Sequence, residues 1–459
     1  MIKAVRGTRD LLPPETALWN HVESVVRDVF RTYNFQEIRT PIFEETQLFA
    51  RGVGEETDIV SKEMYTWSDH GGVHSDEGQQ ALDILDDTKI SLDERAAHVR
   101  AFLAASKLRS QFLTLRPENT AGVVRAYIEH KLGDRGLNKL YYIGPQFRRE
   151  RPQKGRYRQF YQIGAEVIGP ASSGSESPAR DAELLEMLAT LLDRLGIKNW
   201  NLQLNSVGSS ADRARYNDVL RKALEPVKDK MCADCQRRAG TNPLRVLDCK
   251  VPEDQPIIAT LPRIYDYLDD ASKKHFEEVT AILESVGVPF EINHRLVRGL
   301  DYYTRTAFEF THGALGAQNA ILGGGRYDGL AELLGSPQPA PGIGFAIGED
   351  RLVMALQESI GDAQQKPDVY IAPLGAGMNR EAAKLARELR RQDIVAELGD
   401  ETFRLKKSFE TADKLGCRYI LILGENEAKS NTFAVKNLKT GEQVSIPRVE
   451  LAQKLRSGQ

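Results

Sequence analysis

Two stretches rich in aromatic and β-branched residues flank a basic loop, and this arrangement constrains the fold more than any other feature of the chain. The loop runs from Arg148 to Arg158, where six of eleven residues are Arg or Lys and Glu150 is the only acid. Residues 140–147 before it and 159–168 after it both have the composition of β-strands. The sequence therefore predicts two strands joined by a long basic loop.

Alternation along these strands places polar and aromatic side chains on one face, because successive side chains of a strand point to opposite sides. The residues that share this face are Tyr142, Gly144, Gln146, Arg148, Phe160, Gln162, Gly164 and Glu166. A solvent-facing polar side of a charged hairpin is one interpretation. A face used only for core packing would not place Gln162 and Glu166 two strand steps apart, so we interpret it as the floor of a site, with glycines leaving room above it.

The length and composition exclude several classes of protein. A chain of 459 residues predicts two or three domains, and 41% hydrophobic with 28% charged residues is typical of a soluble globular protein. The net charge of −3 gives no overall sign of nucleic-acid binding, so such a role would rest on local basic patches. No signal-peptide pattern or long apolar run occurs, which predicts a cytoplasmic protein without membrane contact.

The N-terminal segment predicts a helix followed by an edge strand. The helix starts at Pro13–Glu15 and extends to about Tyr33, with Asn34 as its stop. Its apolar face consists of Leu18, Val22, Val25 and Val29. Residues 35–39 alternate as a strand that Pro41 confines to a sheet edge. This pair is consistent with ordinary packing and equally with a dimer surface.

An acidic excursion interrupts the next part of the chain. Residues 62–67 and 112–116 predict a strand pair, and the excursion between them covers residues 69–109. It contains a capping-box pattern at Ser91–Glu94 that predicts a helix start. We interpret the excursion as an inserted solvated loop, and its role stays open.

Residues 205–287 are helical and charged in pattern, which predicts a separate small domain. It contains Cys232 and Cys235 in a Cys-x-x-Cys arrangement, with Cys249 fourteen residues later. A structural zinc site needs four ligands, and no fourth Cys or His follows within the usual spacing. We therefore expect no metal and predict packed free thiols. Four cysteines in a chain this long do not indicate a disulfide framework.

Further stretches have the composition of a site. Residues 116–121 start a helix whose first turn can surround a ligand or simply be capped. Residues 296–310 form an aromatic strand behind an arginine-glycine turn, and Gly323–Gly325 lack side chains, which lets backbone approach a ligand. Residues 341–356 run from a strand into a helix with Arg351 in its first turn. Because the helix dipole disfavours a cation there, Arg351 either pairs with an adjacent acid or contacts a polyanion such as a triphosphate.

Four segments together resemble the histidyl-tRNA synthetase family of class II aminoacyl-tRNA synthetases. In the family's order they read FRRERPQKGRYRQF, LVRGLDYYTR, GGGRYDGL and GFAIGEDRL. The resemblance implies an α+β fold with an antiparallel sheet flanked by helices, and a homodimer. The implied domains are a catalytic core of residues 1–204 and 288–360, a helical insertion domain of residues 205–287, a linker at 361–366 and an α/β anticodon-binding domain of residues 367–459.

The resemblance also implies an activity. Histidine and ATP, with Mg²⁺ expected alongside ATP, would give histidyl-adenylate and pyrophosphate, and the histidyl group would pass to the 3′ end of tRNA(His). Arg298 and Arg148 match the catalytic arginines at the α-phosphate. The residues that match the histidine pocket are Glu118, Asn119, Thr120, Gln162, Glu166, Arg298, Tyr302, Tyr303 and Tyr327, of which Glu166 and Tyr303 match the groups at the imidazole nitrogens.

The remaining matches concern ATP and tRNA. The ATP set is Arg148, Glu150, Arg156, Phe160 and Arg351, with Phe160 stacked on adenine and Arg351 at the γ-phosphate. The set expected at the tRNA acceptor end is Gln153, Lys154 and Arg158. Asn119 departs from the family, in which many members have glycine, although Asn tolerates a positive φ.

Two other functions remain as alternatives. One is a non-catalytic, synthetase-like regulatory subunit of histidine biosynthesis, which generally lacks both the C-terminal domain and the Arg-Gly-Leu-Asp-Tyr-Tyr stretch. The other is a class II synthetase for proline or threonine, and Glu166 argues against it because an apolar substrate gains nothing from a buried carboxylate. Amino-acid-dependent pyrophosphate exchange separates all three.

Overall fold

A computed structural model describes residues 2–54, 57–70, 83–84, 91, 94–95, 97–98, 110–153, 155–300, 302–313, 319–357 and 366–456. The chain divides into two compact units, one of residues 1–12 and 18–361 and one of residues 13–17 and 362–459. Within the described ranges, no helix combines the length and the apolar composition that a membrane crossing needs.

The first unit is built on an antiparallel-rich sheet. Its strands and those of a smaller sheet are β1 (Gln36–Glu37), β2 (Phe43–Glu45), β3 (Tyr65–His70), β4 (Ser110–Leu115), β5 (Asn138–Phe147), β6 (Gln159–Ile168), β7 (Trp200–Ser206), β8 (Glu291–Ile292), β9 (Thr304–His312), β10 (Ala320–Arg326) and β11 (Gly342–Gly348). The large sheet has the order β1-β5-β6-β11-β10-β9-β7-β8. Its six central strands are antiparallel, and β1 and β8 add at the edges in parallel.

Helices cover this sheet. Those up to residue 357 are α1 (Glu15–Thr32), α2 (Thr46–Val53), α3 (Thr120–Glu129), α4 (Pro178–Arg194), α5 (Ser210–Leu224), α6 (Ala233–Thr241), α7 (Gln255–Ala259), α8 (Asp270–Ser285), α9 (Leu330–Leu333) and α10 (Glu349–Gln357). The expected fold class, an antiparallel sheet flanked by helices, is confirmed. The helical region begins after Ser206, so the expected boundary at residue 204 falls inside β7.

The predicted helix and edge strand at the N-terminus are present. Phe30 of α1 packs against Tyr141 and Phe345, with ring centroids 5.0 and 6.2 Å away. Val26 is fully buried whereas Val25 is only half-buried, so the predicted apolar face is off by one residue at this turn. Asn34 ends the segment with φ of 61°, as its type allows.

A small sheet of order β2-β4-β3 contains the predicted strand pair. β3 begins at Tyr65, three residues later than expected, because residues 59–63 form a π-helical turn. Most of the excursion lies outside the described residues, but residues 94–95 and 97–98 of its predicted helix are described and are helical. Its capping box is present, since Ser91 and Glu94 exchange side-chain to backbone hydrogen bonds of 3.2 and 3.3 Å.

The second unit has a five-stranded sheet of order β13-β12-β14-β15-β16, with strands β12 (Val369–Pro373), β13 (Ala396–Leu398), β14 (Tyr419–Leu423), β15 (Thr432–Asn437) and β16 (Gln443–Pro447). Its helices are α11 (Met378–Arg390), α12 (Leu405–Lys414), α13 (Glu425–Ser430) and α14 (Leu451–Arg456). The alternating α/β pattern and the C-terminal hairpin were expected from the sequence, and α13 was not.

Candidate active site

The floor of the candidate site is the β5–β6 pair, as the alternation predicted. In the antiparallel register Tyr142 faces Gly164, Gly144 faces Gln162, and Gln146 faces Phe160. Cross-strand partners project to the same side of a sheet, so the predicted shared face is present. A cavity of about 310 Å³ lies over this face.

Glycines on this face and on the neighbouring strands make room for side chains of the site. A Cβ at Gly344 would collide with the Glu166 carboxylate, and one at Gly164 would collide with the Tyr142 ring. In the triple-glycine run, a Cβ at Gly323 would lie 2.6 Å from the Arg298 guanidinium. The sequence interpretation had glycine backbone approaching a ligand, whereas the structure fills that space with functional side chains.

Glu166 is a completely buried carboxylate at the base of the site. It accepts hydrogen bonds from the Thr120 hydroxyl and the Tyr327 hydroxyl, each at 2.7 Å. Burial raises the pKa of Glu166 to about 8, with the two hydroxyls lowering it and the nearby Glu118 raising it. A hydrogen-bond donor or a cation placed beside Glu166 would therefore be favoured, because it would stabilise the ionised form.

Glu118 caps the helix that brings Thr120 to the site. Its two carboxylate oxygens accept from the backbone N–H groups of Thr120 at 2.8 Å and Ala121 at 3.0 Å. It also lines the cavity, and burial raises its pKa. Capping and the lining of a ligand pocket were alternatives in the sequence, and Glu118 does both.

Asn119 lies differently from its neighbours. Its carboxamide oxygen accepts from the Thr40 hydroxyl at 2.6 Å and from Arg116 at 3.3 Å, and Asn119 is not among the residues that line the cavity. Its φ is −120°, so the tolerance of positive φ invoked for this position is not needed. Asn119 therefore stabilises the turn at the start of α3 and does not line the cavity.

Three tyrosines form the wall opposite the floor. The rings of Tyr302 and Tyr303 lie 4.7 Å apart, and Tyr327 packs edge-on against Tyr302 at 6.0 Å. Tyr302 and Tyr303 line the cavity, whereas Tyr327 lies behind it and orients Glu166. Burial raises the pKa of each of these phenols, so all three remain neutral hydrogen-bonding groups.

Four arginines line the cavity: Arg148, Arg156, Arg298 and Arg351. Arg148 stacks over Phe160 with its guanidinium carbon 5.1 Å from the ring centroid. Glu150 lies 3.2 Å from Arg156 and 3.8 Å from Arg148, and Glu309 accepts from Arg298 at 2.8 Å. Burial lowers the pKa of Arg351, and the charge of Arg156 lowers it further. A polyanion would relieve this repulsion.

The two acids next to Arg351 in the chain differ in their contacts. Asp350 pairs with Arg9 at 2.9 Å, and both carboxylate oxygens of Glu349 lack a hydrogen-bond partner among the described residues. Arg351 donates to the carbonyl of Ala320 at 3.0 Å, and both residues line the cavity. Arg298 and Gln162 both line the cavity. The Nε of Arg298 and the Oε1 of Gln162 have no hydrogen-bond partner in the described part of the chain. Buried polar atoms are normally paired, so these mark ligand positions.

The three residues expected to contact tRNA differ in their surroundings. Gln153 and Arg156 exchange backbone hydrogen bonds of 3.1 and 2.9 Å at the tip of the basic loop. Arg158 is half-buried, and its guanidinium donates to the carbonyl of Arg6 at 3.2 Å. Lys154 lies outside the described residues.

Glu309 lines the cavity but was not among the site residues predicted from the sequence. Its position in the strand after the arginine-glycine turn was a signal that could have identified it.

Comparison with known proteins agrees with this geometry. The family model described as histidyl-tRNA synthetase matches residues 81–352, and the model described as anticodon binding domain matches residues 368–458. A histidine–tRNA ligase from Koribacter versatilis (strain Ellin345) is 65% identical over 458 residues, which cover 100% of this chain and 96% of the relative.

Solved structures show the same similarity. The apo histidyl-tRNA synthetase of S. aureus matches with a TM-score of 0.75 and 38% identity, over 99% of this chain and 100% of that one. A Bacillus halodurans structure described as an ATP phosphoribosyltransferase regulatory subunit/histidyl-tRNA synthetase matches with a TM-score of 0.61 over 92% of this chain and 98% of that one. At 19% identity, the second match shows the fold alone.

Proposed function

The chain belongs to the histidyl-tRNA synthetase family and is an aminoacyl-tRNA synthetase, and we propose that its cavity binds L-histidine and ATP side by side and joins them as histidyl-adenylate. One observation carries this proposal. The buried carboxylate of Glu166 lies directly behind the cavity, where it accepts from the cavity-lining Thr120 and from Tyr327, and four arginines line the same cavity. The carboxylate suits a small substrate that donates hydrogen bonds, and the arginines suit a polyphosphate.

Histidine selection follows from the buried carboxylate. The imidazole ring offers nitrogen groups that can pair with Glu166 and a neighbouring phenol such as Tyr303. A substrate with an apolar ring would leave these buried polar groups unpaired, at a cost of about 1–3 kcal/mol for each group. Glu118, Thr120 and Gln162 then remain for the ammonium group, because they line the same cavity.

Activation of the substrate carboxylate takes place at the arginines. Attack on the α-phosphate develops negative charge, and fixed guanidiniums stabilise it without reorganising during the reaction. We place Arg148 and Arg298 at the α-phosphate, Phe160 against adenine, and Arg351 at the outer phosphates, with Arg156 beside them. The histidyl group then passes to the 3′ end of tRNA(His), which Gln153, Lys154 and Arg158 of the basic loop approach.

Mg²⁺ suits the arginine-lined cavity as a companion of ATP. Glu150 and Glu309 line the cavity beside the arginines, and Mg²⁺ in nucleotide sites takes one or two carboxylates together with substrate phosphate oxygens. Bound there, the ion would neutralise part of the phosphate charge. The arginines orient the substrate and stabilise the developing charge.

The assembly and location follow the family. We propose a homodimer formed near Pro41, because Ile42 and Phe43 beside it are 45% and 52% exposed although both are apolar. Residues 361–366 join the catalytic core to an anticodon-binding domain of residues 367–459. The four cysteines are unpaired, which suits a reducing cytoplasm.

ATP–pyrophosphate exchange with each of the twenty amino acids tests the proposal. We expect exchange with histidine alone. Exchange with proline or threonine would keep the fold and overturn the pocket assignment. Absence of exchange in a protein that is folded by circular dichroism would favour the regulatory subunit, which shares the fold.

A further inference from the structure

Three thiols and a carboxylate meet in the helical region between β7 and β8. The sulfur atoms of Cys232, Cys235 and Cys249 and a carboxylate oxygen of Asp254 all lie within 4.8 Å of one another. The cysteines form no disulfide, and Asp254 is completely buried. We propose that these four side chains hold one structural zinc ion.

The spacing of the donor atoms fits tetrahedral coordination. With zinc–sulfur bonds of about 2.3 Å, two sulfurs of a tetrahedral site lie about 3.8 Å apart. Cys232 Sγ and Cys249 Sγ are 3.9 Å apart, and Cys249 Sγ lies 3.2 Å from Asp254 Oδ2.

Local structure presents the donors to a common centre. Cys232 precedes α6 and Cys235 lies in its first turn, so the Cys-x-x-Cys pair wraps the helix start. Cys249 and Asp254 come from two consecutive turns further along the chain. The sequence argument sought a fourth Cys or His and therefore missed Asp254, which stands five residues after Cys249.

Backbone N–H groups support the ionised donors. The N–H of Cys232 donates to Asp254 Oδ1 at 3.0 Å, and the N–H of Val251 donates to Cys249 Sγ at 3.4 Å. Such contacts orient metal ligands and favour their charged forms. Lys228 pairs with Glu225 and Lys250 pairs with Asp248 rather than with Asp254, so a bound cation would balance the charge of Asp254.

A zinc ion held by this cluster would stabilise the region around it. Residues 225–268 contain only short helices and turns, and a zinc ion would tie three of these segments together. Arg245, between Cys235 and Cys249, donates to the carbonyl of Arg298 at 3.3 Å. The ion would thus hold the segment that supports the backbone of Arg298, without contacting any substrate.

Zinc content of the full-length protein tests the proposal. Protein expressed with added zinc and purified under reducing conditions is analysed by inductively coupled plasma mass spectrometry, and we expect about one zinc per chain. Cys232→Ser and Asp254→Ala should each lower the content several-fold. Cys417→Ala is the matched control, because Cys417 is a buried cysteine outside the cluster, and it should keep the zinc.

Cobalt gives a measurement that does not depend on whether the variants fold. Metal-free wild-type protein titrated with Co²⁺ without oxygen should show a thiolate-to-cobalt charge-transfer band and the intense d–d bands of a tetrahedral site. A wild-type protein with less than about a tenth of a zinc per chain and no cobalt bands would overturn the proposal. A disulfide among Cys232, Cys235 and Cys249 in freshly reduced protein, seen by mass spectrometry, would overturn it as well.

Discussion

Each face of the large sheet carries a buried acid and an arginine, but the contacts of these charged groups differ between the two faces. On the far face, Asp181 of α4 accepts from Arg326 Nε at 2.8 Å, from His275 at 2.9 Å and from the Thr306 hydroxyl at 2.6 Å. On the cavity face, Glu166 accepts from the hydroxyls of Thr120 and Tyr327, each at 2.7 Å.

Their electrostatics differ accordingly. Burial by itself would raise the pKa of Asp181, but the charge of Arg326 and the contact with His275 bring that pKa below its ordinary value. Burial raises the pKa of Glu166 to about 8, because no cation offsets it. A buried charge whose partner is in the fold contributes to a stable structure, whereas one without such a partner is suited to a ligand.

The two arginines repeat the contrast. Arg326 is completely buried and is saturated by Asp181, Asp328 and the backbone carbonyl of Ser175. Arg298 donates to Glu309 and leaves its Nε without a partner among the described residues. We therefore expect Arg298 to act in the reaction and Arg326 to stabilise the fold. The two expectations can be tested separately.

The largest effect is expected from Arg326→Met. Removing one partner of a buried ion pair leaves an uncompensated charge on Asp181, so we expect the free energy of unfolding to fall by about 3–5 kcal/mol. Urea unfolding followed by circular dichroism measures this loss. Arg27→Met, which breaks an exposed pair with Glu23, is the control and should cost less than about 1 kcal/mol. Equal costs for the two variants would break the comparison.

Arg298→Ala should act on the reaction instead. Loss of one preorganised donor at a developing charge typically lowers the rate about 10²- to 10³-fold, and we expect this drop in histidine-dependent pyrophosphate exchange. The melting temperature should change little compared with Arg326→Met. Arg221→Ala removes an exposed arginine of α5 and should leave exchange unchanged. An unaltered exchange rate in the Arg298 variant would remove this residue from the mechanism.

Glu166→Gln sharpens the assignment of the buried carboxylate. A hydrogen bond to a charged group contributes about 1.5–3 kcal/mol, so we expect the KM for histidine to rise about 10- to 100-fold. The KM for ATP should stay near the wild-type value and serves as an internal control. A parallel rise in both constants would show that Glu166 does not belong to the histidine pocket.

The last expected effect is a pH dependence of stability. The pKa of Glu166 rises on folding from 4.5 to about 8, so its contribution is fully present below about pH 4.5 and is lost as the pH approaches 8. The Glu166→Gln variant has no ionisable group at this position, so it does not lose stability in this way as the pH rises. We therefore expect the variant to gain stability relative to wild type between pH 5 and 8, by up to about 1.4 kcal/mol per pH unit. A constant difference across this range would contradict the raised pKa.

Much of the site was predictable because it lies on regular strands. The period of two along residues 140–168 placed Phe160, Gln162 and Glu166 on one face, and the observed register of β5 and β6 has the same face. The order of the four motifs indicated the family, which the comparisons confirmed. These features are local in sequence, so side-chain alternation and composition are sufficient to find them.

Only the tertiary structure decided which residues distant in sequence contact each other. Asp181 and Arg326 are 145 residues apart, and no local pattern marks either as the other's partner. Asp254 joins the cysteines because two turns fold back onto α6, and Gly323 is small because Arg298 occupies the space above it. Sequence periodicity specifies which way a side chain points within its own element. The partner it meets depends on how distant elements pack, and that packing decides which buried charges are neutralised and which remain for a ligand.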